Sequence, residues 1–370
     1  MINVLQLIAP VGFYGAERWI LALARNLDPD KVNCQLVVTS ENPAQSFGIL
    51  DSYPNSSTNT HRIEMSSRFD LSVVSMLSEL IKKESIDVIH THGYKSDIVG
   101  LIAARRCGIK CVSTPHGFGQ SISLKLRAYI KLGLYALRWF DSVAPLSGEL
   151  KTELLKSGLS EAKLHVIENG TDLTELNELQ PTQNNTPKPT GLRIGYVGQL
   201  IKRKQVHDII DSFDQLWEQD GSLSLHIAGD GEDKARLESY ANGKKSFKNI
   251  FFYGFVEDRL QLMNSLDLFV MSSSYEGIPR CMMEAMALKT PVAAYDIPGV
   301  DQLVTHGKTG LLAPLNNADA LKKCCQELLE NRSYAQTLAT AGNKLVNDRF
   351  SASRMATEYT ALYSSLLTEK

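Results

Sequence analysis

The stretch LDLFVMSSSYEGIPRCMMEAMAL, residues 266–288, decides the fold. Its first seven residues are almost all apolar, the pattern of a strand buried on both faces of a sheet. A polar loop interrupts it. Pro279 then stands where a missing N–H suits the first position of a helix. We expect that helix to run from Pro279 through RCMMEAMAL. Strand, loop and helix together make one βα corner. Glu276 then lies in the loop above the strand, and Glu284 about one and a half turns into the helix. The backbone amides from Gly277 to Arg280, Pro279 apart, form a positive helix N-terminus, suited to a phosphate or to sugar hydroxyls. Read singly, each glutamate is equally a solvated or salt-bridged charge.

The same corner recurs along the chain. VLQLI (4–8) precedes a helical AERWILALARNL (16–27), and CQLVVTS, HRIEM, DVIHTH, KCVSTPH, SVAPLS and LHVIENG follow as strand candidates. LNELQPTQNNTPKPTG is polar and proline-rich and reads as a linker. A second series begins after it with LRIGYVG (192–198), LSLHIAG, NIFFYG, LDLFVMS and PVAAYD, and three helical runs (318–331, 333–348, 352–368) end the chain. Strands alternating with helices imply parallel sheets. The expected fold is therefore α/β, with two Rossmann-like domains facing across a cleft. We place them at 1–175 and 190–350, with a last helix, 351–370, crossing back to the first. In such sheets ligands bind beyond the carboxyl ends of the strands.

Composition narrows the function. The chain has 370 residues, 43% hydrophobic and 22% charged, with a net charge of −2. A nucleic-acid partner is not expected, because such proteins usually carry a basic excess. The six cysteines show neither a disulfide framework nor a metal pattern. The amino-terminal MINVLQLIAP reads as a strand rather than a signal peptide. No apolar run reaches a membrane span, so a cytoplasmic location is expected. SISLKLRAYIKLGLYALRWF (121–140) is basic and amphipathic. It is either a core-packing helix or a peripheral contact with the inner face of a membrane.

The pattern E-G-x-P-x-x-x-x-E-A-M-A resembles the E-x7-E motif of glycosyltransferase family 4, retaining enzymes of the GT-B fold. The resemblance extends to the opening strand, glycine loop and helix, to DVIHTHGYKSDIVGLIAARRCGIKCVSTPHG, to VIENGTD, and to IAGDGEDKARLE and GKTGLLAP, in the family's order. It implies transfer of a sugar from a nucleotide-sugar, a UDP- or GDP-sugar, to a hydroxyl of a glycan or lipid-linked acceptor, in cell-surface glycan or glycolipid synthesis. By this resemblance Glu276 contacts the sugar near the reacting carbon, and Glu284 accepts hydrogen bonds from the ribose. Gly15 approaches the donor diphosphate or the acceptor, and His116 contacts the reacting region. Lys204 matches the family's diphosphate lysine. Gln199 stands where the family usually has an arginine, and Arg203 is the neighbouring candidate to replace it. We thus name His116 and Glu276 as catalytic candidates, and Gly15, Arg203, Lys204, Gly277, Ile278, Pro279 and Glu284 as donor-binding ones.

No cofactor or metal is expected. The corner APVGFYGAERW is not a dinucleotide fingerprint. The D-x-D at Asp28–Asp30 sits in a turn. His90 and His92 lack a third ligand and read as structural or cleft-lining. Two other functions fit the same architecture. One is a nucleotide-sugar epimerase, which would need no acceptor. The other is a non-catalytic partner in a glycan assembly complex, which would bind no donor.

Overall fold

The computed structural model describes residues 1–10, 15–41, 47–66, 70, 72–116, 124–177, 191–256 and 258–368. Side chains of 124–129 are excluded, and most of the expected linker, 178–190, lies outside the described residues. The chain forms two compact units, Met1–Gly170 with Ala352–Lys370, and Thr171–Ser351. Each holds a six-stranded sheet whose strand pairs are all parallel. Among the described residues no helix is long and apolar enough to cross a membrane.

In the first unit the strands are β1 (Ile2–Ile8), β2 (Val32–Ser40), β3 (Thr60–Glu64), β4 (Val88–His92), β5 (Lys110–Ser113) and β6 (Ser142–Val143), in the order β3-β2-β1-β4-β5-β6. Side chains alternate between the faces. Leu5, Leu7, Val37, Ile89 and Cys111 belong to one core, which includes residues of the Ser72–Lys83 and Tyr94–Cys107 helices. Val4, Ile8, Val38, Val88 and Val112 belong to the other. There the Gly15–Asn26 helix contributes Trp19, Ile20 and Leu23, and the final helix, Ala352–Thr368, contributes Met355, Tyr359 and Tyr363. The first unit therefore contains both ends of the chain. LHVIENG is not a strand. Leu164 makes only an isolated bridge to Val143, because β6 is just Ser142–Val143 and the chain beyond it turns away after a few backbone bonds.

The second unit repeats the plan with β7 (Arg193–Val197), β8 (Ser224–Ala228), β9 (Ile250–Gly254), β10 (Leu268–Met271), β11 (Val292–Asp296) and β12 (Leu311–Pro314), ordered β12-β11-β10-β7-β8-β9. Strand β12 has no counterpart among the sequence candidates. Its four residues, ending at Pro314, are too few to show a period. Strand β10 lies inside the sheet with all four residues buried, as its unbroken apolar run requires. The helix after it is Arg280–Ala287. Pro279 caps that helix with an extended ψ of 118° and is not its first residue. Its carbonyl nevertheless accepts from the amides of Met282 and Met283, both at 3.2 Å.

Candidate active site

In the second unit two loops beyond the carboxyl ends of adjacent strands are stitched together. The loop after β7 ends in a 3-10 turn, Lys202–Lys204. The loop after β10 is Ser272–Pro279. Ser274 donates its backbone N–H to the Arg203 carbonyl at 2.8 Å, and the Ser272 hydroxyl reaches the Lys204 and Gln205 carbonyls at 2.9 and 2.8 Å. Arg203 Nη1 returns a bond to the Tyr275 carbonyl at 2.8 Å. These bonds bring Lys204 against the Glu276 carboxylate in an ion pair, with Arg203 Nη1 3.5 Å from its other oxygen. Burial raises the pKa of Glu276, but Lys204 and then Arg203 outweigh it and hold the carboxyl below its usual value. Two cations thus face one carboxylate at the end of the sheet. The site carries a positive excess where an anion could enter.

Glu284 sits differently. Its side chain is only 3% exposed. Arg259 binds it through Nη2 to Oε1 at 2.6 Å and Nε to Oε2 at 3.2 Å, and Arg280 donates Nε to Oε1 at 2.7 Å. Glu175 closes the cluster, 3.5 Å from Arg259 and 3.8 Å from Arg280. Burial pushes the Glu284 pKa up, but the two guanidinium groups bring it down to about 2. Oε1 is saturated by two arginines. Oε2 takes one bond and keeps an acceptor site.

Gly299, in the loop after β11, completes the corner. Its φ is +88°, and a Cβ there would lie 1.8 Å from the Gly277 carbonyl oxygen. Only glycine lets this loop press against the Glu276–Gly277 backbone. At Gly277 itself a Cβ would meet nothing within 4 Å. Ile278 and Pro279 are buried under the loop.

In the first unit His116 lies just beyond β5, and the Gly15–Asn26 helix brings Trp19 to it with ring centroids 5.3 Å apart at 79°. A Cβ at Gly15 would meet nothing within 4 Å. Trp19 also packs on His90 and His92. His116 Nε2 is 3.1 Å from His92 Nδ1, and His92 Nε2 is 2.6 Å from Gln6 Oε1. His90 bonds the Tyr363 hydroxyl at 2.7 Å and the Thr114 hydroxyl at 2.8 Å, and Thr114 meets Tyr359 at 2.7 Å. Burial lowers all three histidines: His116 to about 4, His90 to about 3, and His92 well below its ordinary value. All are neutral near pH 7.

Of the nine residues named from sequence, the second unit gathers seven at one corner, and the first holds His116 and Gly15. Sequence reasoning missed Arg259, Arg280, Glu175, Gly299, Gln6, Trp19, Tyr359 and Tyr363. Arg280 stands four residues before Glu284, a helical ion-pair spacing that could have flagged it. The others meet the site only through tertiary folding.

Comparison with known proteins agrees with this architecture. Residues 13–175 match the family Glycosyltransferase Family 4, and residues 180–345 match Glycosyl transferases group 1. The chain is 27% identical over 315 residues to the Escherichia coli UDP-Gal:alpha-D-GlcNAc-diphosphoundecaprenol alpha-1,3-galactosyltransferase, covering 81% of each protein. It is 24% identical over 325 residues to the Staphylococcus aureus capsular polysaccharide biosynthesis glycosyltransferase CapM, covering 81% of this chain and 84% of CapM. The crystal structure of Anabaena HepE in complex with UDP-glucose superposes with a TM-score of 0.85 at 20% identity, over 99% of this chain and 100% of that one. Two parallel six-stranded α/β units, two glycosyltransferase regions in tandem and relatives of that class along most of the sequence make this chain a glycosyltransferase of the GT-B fold.

Proposed function

We propose that the protein moves a hexose from a UDP-sugar to a hydroxyl of a lipid-linked or glycan acceptor, with retention at the anomeric carbon and without a resident metal. The observation that carries this reading is the Lys204–Glu276–Arg203 cluster at the carboxyl ends of β7 and β10. A departing nucleoside diphosphate gains negative charge as the glycosidic bond breaks. Prepositioned cations stabilise that charge more in the transition state than in the ground state. Lys204 and Arg203 supply two such cations, the role a divalent ion plays in metal-dependent transferases. In this reading Glu276 contacts the sugar hydroxyls, and Gly277, Ile278 and Pro279 bring backbone close to the donor. The ribose lies at the Glu284 end, where Oε2 keeps an acceptor site. His116 contacts the reacting region, and Gly15 leaves room beside the diphosphate. The galactosyltransferase relative is named for UDP-Gal and a diphosphoundecaprenol acceptor, and HepE was crystallised with UDP-glucose. Both support a uridine donor, and the first supports a lipid-linked acceptor.

With a lipid-linked acceptor the enzyme would work at a membrane surface, on the inner face in this reading. Leu132, Tyr135 and Trp139 project from one side of the Leu124–Leu137 helix and the turn after it, 52%, 53% and 58% exposed, with Lys131 and Arg138 beside them. Aromatic and basic side chains so mixed suit an anionic bilayer surface.

A thermal-shift series with UDP-, GDP- and ADP-sugars, followed by turnover assays with undecaprenyl-diphosphate glycans, tests the reading. A uridine donor should raise Tm, because a ligand that binds only the native state stabilises it. Product should form only when acceptor is added. Isomerisation of the donor without acceptor would make the protein an epimerase. No shift with any donor would make it a non-catalytic partner.

A further inference from the structure

A row of polar side chains runs across the carboxyl end of the first sheet, on the face covered by the Gly15–Asn26 and Ala352–Thr368 helices. Gln6 pairs in register with His90, and His92 follows two residues on, so all three share a face. They line up as Gln6, His92 and His116, each within hydrogen-bond distance of the next.

The order of donors along this row follows from the way the Gln6 amide is turned. In the structure the Gln6 amide nitrogen lies 3.5 Å from both the Cys34 sulfur and the Tyr363 hydroxyl, and its oxygen lies 2.6 Å from His92 Nε2. An amide oxygen only accepts, so His92 Nε2 must carry the proton. A neutral imidazole has one N–H, which leaves an unshared pair on His92 Nδ1. The bond to His116 then requires the proton on His116 Nε2. His116 Nδ1 is left as an unshared pair.

We propose that Gln6 and His92 are positioning residues that fix His116 as the Nε2–H tautomer and so present its Nδ1 as an acceptor to a hydroxyl of the sugar substrate. The role of His116 toward substrate rests on the function proposed above, whereas the tautomer does not. The arrangement parallels metal and triad sites, where the partner of one ring nitrogen selects the state of the other. Depressed basicity from burial helps, because a protonated ring would have no pair to offer. Trp19 packs edge-on to His116 and tilted on His92, which limits rotation of both rings. Tyr363 bonds His90, and its hydroxyl stands beside the Gln6 amide nitrogen, so the final helix helps hold the amide the right way round.

Long-range 1H–15N correlation on protein labelled in its histidines reads each ring's tautomer, and a His116→Gln variant assigns the His116 signals. At pH 7.5 the wild type should show a protonated Nε2 and an unprotonated Nδ1 at His116. Gln6→Leu and His92→Phe should each convert this to a mixture. His92→Asn, whose amide oxygen lies near the lost Nδ1, should restore the Nε2–H form. In turnover, Gln6→Leu should lower kcat about tenfold, the size of a ~1.4 kcal/mol loss, with donor KM little changed. A proton on His116 Nδ1 in the wild type overturns the proposal, and this holds even if the variants fail to fold. An unchanged tautomer in both folded variants overturns it too. Full activity of His116→Ala beside the expected spectra would instead remove His116 from the substrate site and leave the tautomer assignment standing.

Discussion

Lys204 and Glu276 are ion-paired although they belong to loops 72 positions apart in sequence. Each loop follows a strand of the same sheet, and the hydrogen bonds between the loops fix the pair before any ligand arrives. Glu276 therefore orients the lysine, and the lysine keeps Glu276 ionised. Glu276→Gln keeps the shape and removes the charge. Its kcat should fall by ~10²- to 10³-fold, as for loss of a preorganised electrostatic group, while donor Kd changes by less than about tenfold. Steady-state kinetics and calorimetry together check this, and unchanged turnover would end the assigned role.

Lys204→Met should do two separable things. It removes a diphosphate-binding cation and leaves a mostly buried carboxylate with only Arg203. Breaking one side of a buried pair typically costs ~3–5 kcal/mol, here lessened by Arg203. The Lys204→Met, Glu276→Gln double variant should recover most of the lost Tm without recovering activity. A double-mutant cycle by thermal denaturation and turnover measures both.

Glu284→Ala leaves the largely buried Arg259 and Arg280 without their closest carboxylate, with Glu175 still 3.5 and 3.8 Å away. Loss of ~3–5 kcal/mol is expected, read as a lowered denaturant midpoint. At temperatures where the variant is folded, donor binding should weaken more than turnover of bound donor.

Gly299→Ala tests the fit of the loop after β11. A methyl cannot occupy the space 1.8 Å from the Gly277 oxygen, and a φ of +88° is strained for alanine. The loop must shift, and with it the Glu276 backbone. Lower turnover with a modest drop in Tm is expected, and a wild-type kcat would show that the Glu276 loop is held independently.

Acid should destabilise the fold in two steps. His90 and His92 have native pKa values pushed below the ordinary ~6.5, so the unfolded chain binds more protons, and stability is lost as pH falls below 6.5 toward the native value near 3 for His90. At pH 5 this amounts to ~2 kcal/mol for one such histidine. Glu284, lowered to about 2, adds a loss that begins below its ordinary value of 4.5. Urea denaturation from pH 8 to 4 should show a falling midpoint already between pH 6.5 and 5, and His90→Gln should flatten that part of the profile.

Much of this architecture is legible in the sequence, for reasons particular to its elements. LDLFVMS can be read because an inner parallel strand is apolar on both faces, and the three final helices because each keeps a helical period. LHVIENG misleads because its apolar residues bridge a strand that ends too soon, and β12 escapes because four residues carry no period. Glu276 and Lys204 are visible as chemistry at the ends of strands. Their pairing is not, since it depends on loops stitched by Ser272 and Ser274. Glu284 reads as a possible ligand group, whereas the arginine that holds it most fully, Arg259, comes from another helix. Glutamine and tyrosine carry no signal of their own. Gln6, Tyr359 and Tyr363 matter only because the fold brings the first strand and the last helix to the same histidines.

Tyr359 and Tyr363 also bear on synthesis. The helix that carries them fills the core beside β1 and β4, yet the whole of the second unit is made between those strands and this helix. Thr171–Ser351 is contiguous and can fold while the chain is still growing, whereas the amino-terminal sheet must wait, with Trp19 and its histidines uncovered, until Ala352–Thr368 has been made. During that interval the nascent chain exposes an apolar face that chaperones can bind, and a chain cut before Ala352 would leave the first unit unfinished although every one of its strands had been made.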